Sequence, residues 1–151
     1  MRVLGWLKFI LMAIGFIAVF KYSFMALIPF GSDSDDDLSI KVYPSPNGGY
    51  SAAHVWKAGG GAIAPYCSDR IFVFNSLLDV GEVVKKPDYQ VYSAECDTFS
   101  DHEASPKIRW ESDHDLQVDF AIAATRMYSR QVDLRGFDAA GAIRIKFSAY
   151  R

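Results

Sequence analysis

Apolar residues run from Val3 to Phe30, broken only by Lys8, Lys21 and a few small residues, and the chain then turns abruptly to Gly31-Ser32-Asp33-Ser34-Asp35-Asp36-Asp37. Past Leu38 the apolar positions mostly alternate with polar ones, which is the period of a strand that buries one face. The first regime is long enough to cross a hydrocarbon core of ~30 Å as one helix. The second predicts β structure to the C-terminus.

Three strands stand out. Leu116, Val118 and Phe120 alternate with Asp115, Gln117 and Asp119; Ile143, Ile145 and Phe147 alternate with Arg144, Lys146 and Ser148; Ile108 and Trp110 alternate with Lys107, Arg109 and Glu111. Further strands are expected at Ser39 to Tyr43, Tyr50 to Lys57, Tyr89 to Ser93 and near Gln131 to Leu134. Arg70-Ile71-Phe72-Val73-Phe74 is apolar at both parities, so it reads as a central strand covered on two sides. Asn47-Gly48, between two of these strands, supplies the positive φ that a tight hairpin needs, and Ser112-Asp113-His114-Asp115 turns a second hairpin. Without a sustained helical period the domain is expected to be all-β: a single small antiparallel sheet or sandwich of about seven strands behind one N-terminal helix.

Lys8 and Lys21 lie thirteen positions apart, ~20 Å along a helix, so each can snorkel to its own headgroup layer and frame one span. Arg2 and Lys8 with the Phe9 to Phe20 core also fit a cleavable signal, but Phe24 stands where a small residue should precede Ala26. An uncleaved signal anchor is the reading adopted, with the bilayer contacted through residues 3–28. Arg2, Lys8 and the terminal amine precede the core, and after Lys21 no cation follows until Lys41, so the N-terminus is expected in the cytoplasm and the domain outside, periplasmic in a Gram-negative cell. No two small residues in the span are four apart, so the pattern for close helix pairing is missing. The organisation is therefore an anchor over residues 1–30, an acidic linker over 31–37 and an extracytoplasmic domain over 38–151.

Charge narrows the partners. The chain carries sixteen Lys and Arg against eighteen Asp and Glu, thirteen against fourteen once residues before Leu38 are set aside, so no basic stripe exists to neutralise phosphates and nucleic acid is not an expected partner. The two cysteines, Cys67 and Cys96, both fall in the domain, and in an oxidising compartment an isolated pair forms one structural disulfide.

Several motifs are formal only. Asp33, Asp35 and Asp37 open like a calcium loop, but Leu38 takes the place of the glycine and Pro44 that of the closing glutamate, leaving a solvated spacer. Gly59-Gly60-Gly61-Ala62-Ile63-Ala64 satisfies the dinucleotide fingerprint, yet Pro65 and a β-type segment follow where a helix is required. His102 and His114 sit in acidic triplets whose neighbours on a turn point apart, so no metal set is expected. Ser68 beside Asp69, with His54 as base, lacks any nucleophile context. The expectation is no enzyme, with no catalytic, cofactor or metal residues.

Loops held on a β scaffold are where binding resides. The Gly59, Gly60, Gly61 loop leads to Tyr66 and Cys67, and a disulfide would pin one end of it. Aromatic residues make up 15% of the chain, more than so small a domain can bury, and Tyr50, Trp56, Tyr66, Tyr92, Tyr128 and Tyr150 are candidates for a contact patch. Gly59, Gly60, Gly61, Tyr66, Trp56 and Tyr92 are the candidate partner-binding set.

Ser45-Pro46-Asn47-Gly48-Gly49-Tyr50, the Gly-rich loop ending at Cys67, and Trp110-Glu111-Ser112-Asp113-His114-Asp115-Leu116 occur in that order. With them the chain resembles a group of small, functionally uncharacterised bacterial envelope domains, over roughly Tyr43 to Phe120. The resemblance implies a bacterial source and an envelope location, with no activity to carry over. The expected function is a membrane-anchored periplasmic domain that binds another protein, as an immunity-type antagonist of an envelope toxin or an accessory subunit of an inner-membrane complex. A small periplasmic hydrolase or metal-dependent enzyme is the alternative.

Overall fold

A computed structural model describes residues 37–60, 65–122 and 131–151. The anchor, its edge residues Lys8 and Lys21, Gly61 and Tyr128 lie outside the described residues. Among the described residues no helix is long and apolar enough to cross a membrane.

Among the described residues eight strands form two sheets: β1 (Asp37–Pro44), β2 (Tyr50–Gly59), β3 (Tyr66–Asn75), β4 (Gln90–Glu95), β5 (Lys107–Trp110), β6 (Asp115–Ala121), β7 (Asp133–Leu134) and β8 (Arg144–Tyr150). The larger sheet has the order β1-β2-β3-β4-β7 and the smaller β5-β6-β8. Asp37, assigned by composition to the linker, is already the first residue of β1.

Residues paired directly across antiparallel strands share a face. Ala52, Ile71, Val73, Val91 and Tyr92 of the larger sheet pack on Leu116, Val118, Phe120, Ile143 and Ile145 of the smaller side, which makes the main core. The opposite face of the larger sheet carries Ala53, Val55, Phe72 and Phe74, closed by Val83 of a one-turn helix, α1 (Val80–Val83). The apolar run of β3 is therefore divided between two cores, Ile71 and Val73 in one and Phe72 and Phe74 in the other. That is the two-sided burial its sequence predicts.

Two features depart from expectation. β6 and β8 run parallel, Leu116 facing Ile145 and Val118 facing Phe147, so the sheets are not wholly antiparallel. A parallel pair needs a long crossover, and residues 122–143 supply it, placing β7 in the other sheet on the way. The helix α1 has a sequence signal in Asp79, an N-cap whose Oδ1 accepts the Glu82 N–H at 3.0 Å.

Candidate functional site

β2 and β3 pair in unbroken register from Tyr50 and Asn75 to Gly59 and Tyr66, a hairpin of ten residue pairs. Strand propensity carries β2 this far through Val55 and Trp56, and Gly59 and Gly60 end it. Gly60 has φ +88°, in the left-handed region where a Cβ is strained.

The disulfide predicted from sequence is formed between Cys67 and Cys96, with Cα atoms 5.4 Å apart. β3 and β4 pair Ser68 with Glu95, and the Cys96 N–H donates to the Cys67 carbonyl at 3.4 Å, so the bond bridges adjacent strands one residue from Tyr66. It clamps the loop end of the hairpin to a third strand.

At that clamped end Tyr66 is 43% exposed. Lys57 Nζ stands 5.7 Å from the Tyr66 ring centroid, a cation–π distance that holds the ring over the strand. Trp56 is half-buried on the other face, directly across from Asp69. Trp56, Gly59, Gly60 and Tyr66 thus gather at one end of one hairpin. A rigid, amphipathic ring beside a permissive turn can enter a partner's pocket with little loss of conformational freedom.

Tyr92 does not join them. It is 2% exposed, with its ring 5.5 Å from Phe120 and 6.4 Å from Phe147. A β-bulge explains this: Ile71 pairs with Tyr92 while Phe72 pairs with Gln90, so Val91 is the extra residue and both Val91 and Tyr92 turn into the main core. Tyr50 also packs against that core, and Tyr150, 49% exposed, meets Phe99 edge-on at 5.9 Å.

Beneath the clamped end lies a pair that sequence alone could not assemble. His54 faces Ile71 and Asp69 faces Trp56, so His54 and Asp69 are diagonal neighbours on the inner face. The imidazole Nε2–H donates to Asp69 Oδ1 at 2.6 Å, and Asp69 is 1% exposed. A buried carboxylate needs such a donor, because desolvation without one is costly. Ser68, whose strand partner is Lys57, points to the opposite face, as adjacent strand residues do. A Ser68-His54-Asp69 relay is therefore not formed.

His102 and His114 are exposed on turns, and among the described residues no group of three His, Cys, Asp or Glu converges on a metal-binding geometry. A cleft of about 350 Å³ lies at the other end of the larger sheet, between Tyr50, Phe74, Leu78, Tyr89 and Asp138, and does not reach His54. The Asp138 carboxylate is occupied there, accepting the Ile143 N–H at 2.8 Å and the Ala140 N–H at 3.2 Å.

No family model, no curated protein and no solved structure matches the chain.

Proposed function

We propose that this chain is a single-pass, membrane-anchored protein of a bacterial envelope whose β domain binds another protein through the clamped end of the β2–β3 hairpin. The observation that carries the reading is Tyr66, exposed beside Gly60 and held by Lys57 one residue from the Cys67–Cys96 bond. The apolar run at residues 3–28 supports a bilayer address, and the disulfide suits an oxidising compartment. An immunity-type antagonist of an envelope toxin and an accessory subunit of an inner-membrane complex are the two versions this reading covers.

The test is solubilisation of membranes and affinity capture of the full chain, wild type beside Tyr66→Ala. A stoichiometric partner recovered with the wild type and lost with the folded variant supports the reading. Recovery of the protein alone, or equal recovery with both, counts against it. Replacing residues 1–30 by a cleavable export signal separates the anchor's contribution: full complementation makes the anchor an address only.

The His54–Asp69 contact favours a second reading, a small hydrolase or metal-dependent enzyme, since it supplies an imidazole oriented by a carboxylate. Joint replacement of His54, His102 and His114 should leave the phenotype unchanged under the protein-binding reading. Loss of function in a folded triple variant favours the enzyme.

A further inference from the structure

Edges of β-sheets present a row of backbone donors and acceptors to any chain that can pair with them, so folds keep edges short, charged or covered. Among the described residues three of the four sheet edges follow that rule. β7 is only two residues long, β5 only four, with Lys107 and Arg109 exposed, and β8 displays Arg144 and Lys146. β1 does not follow it.

β1 is eight residues long and, among the described strands, pairs with β2 alone, in unbroken register from Asp37 opposite Ala58 to Pro44 opposite Ser51. It has no bulge, and its one proline is its last residue. Leu38, Ile40 and Val42 share one face and are 59%, 38% and 43% exposed. Ser39, Lys41 and Tyr43 share the other, with Lys41 Nζ 5.1 Å from the Tyr43 ring centroid.

We propose that β1 is a homodimer edge, pairing antiparallel with β1 of a second copy about a two-fold axis at Ile40 so that two five-stranded sheets become one. An axis normal to a continuous sheet joins only residues of equal parity, which keeps apolar against apolar. The register centred on Ile40 sets Leu38 against the partner's Val42 and Ile40 against its own counterpart. All three exposed apolar side chains then have a cross-strand neighbour. Ser39 meets the partner's Lys41, and Asp37 meets the partner's Tyr43, with the partner's Lys41 diagonal to it and within reach of an ion pair. The register one step toward Pro44 sets Lys41 against its own copy, and the register one step toward Asp37 leaves Val42 facing residue 36. Charge rules out the first of these, and the second, which would set Asp37 against the partner's Lys41, takes Val42 beyond the start of β1, so the pairing of all three apolar side chains selects the centre at Ile40.

Although Leu38 pairs with Lys57, which stands over Tyr66, β2 separates β1 from Tyr66, and self-crosslinking at position 40 and partner capture at position 66 are read separately, so failure of one leaves the other standing. The test uses the full chain reconstituted in nanodiscs or detergent and oxidised as the single variants Ile40→Cys and Ser39→Cys. Position 40 meets its own copy at a cross-strand Cα spacing of ~5 Å, inside disulfide reach, whereas position 39 lies ~8 Å from its copy, outside it. A covalent dimer from Ile40→Cys and little from Ser39→Cys is expected. No dimer from Ile40→Cys, or equal dimer from both, overturns the proposal. Sedimentation of Ile40→Lys and Val42→Lys gives an independent reading: the dimer dissociation constant should rise about ten-fold or more, and a dimer that both substitutions leave intact also overturns it.

Discussion

The Trp110 indole N–H donates to the Tyr43 carbonyl at 2.9 Å, joining the smaller sheet to the edge of the larger across 67 residues of chain. Beside it the Asn47 N–H donates to Asp113 Oδ1 at 2.8 Å. The Ser45-Pro46-Asn47-Gly48-Gly49 turn and the Trp110-Glu111-Ser112-Asp113 turn, far apart in sequence, are thus one clasp. Within the first turn Asn47 Oδ1 accepts both the Gly49 N–H, at 2.8 Å, and the Ser45 hydroxyl, at 3.0 Å, and Gly48 takes φ +72°. The residue types of both motifs are accounted for by architecture.

Trp110→Phe keeps the ring and removes the donor, so the Tyr43 carbonyl loses its partner and the domain should lose about 1 kcal/mol. Asp113→Ala should cost a similar amount. Because the two contacts flank one clasp, the double variant should depart from additivity, which urea unfolding of the singles and the double measures.

His54→Ala leaves a carboxylate buried with its donor gone, and should destabilise by about 3 to 5 kcal/mol. Asp69→Asn, which keeps the shape and relieves the desolvated charge, should cost less, and placed on His54→Ala it should recover part of the loss. Thermal unfolding of the four proteins closes the cycle. A structural pair predicts this recovery; independent, additive losses contradict it.

How far the sequence led is clearest along β3. Apolar residues at both parities require cover on both sides, and both covers exist, one from the second sheet and one from α1. Asn47-Gly48 and the two cysteines were equally legible, because positive φ and disulfide chemistry depend on residue type and little on context. Tyr92 was not, because strict alternation places it opposite Val91, and only the bulge opposite Ile71 turns both inward. The parallel pairing of β6 with β8 was not legible either, since alternation defines a face and carries no information on strand direction. The exposed apolar row of β1 reads in sequence like any half-buried strand: Leu38-Ser39-Ile40-Lys41-Val42 alternates correctly, and only the topology places it at an edge. His54 and Asp69, fifteen residues apart, meet because of the hairpin register, which composition does not set.

Replacing Cys67 and Cys96 together by serine should cost about 2 to 5 kcal/mol of stability. The larger consequence is expected at the clamped end, where Tyr66 loses its brace to β4. Backbone hydrogen exchange should rise at residues 66–68 and 94–96 well before it rises in the core strands, and partner capture should weaken while the fold persists. Unchanged exchange at those positions contradicts the bracing role.

The most direct test of protein binding through this end is a photo-reactive amino acid placed at position 66 of the full chain in living cells, with position 85, exposed on the α1 side, as control. One discrete adduct with another protein is predicted from position 66 and none from position 85. No adduct from position 66, or the same adducts from both positions, contradicts the account.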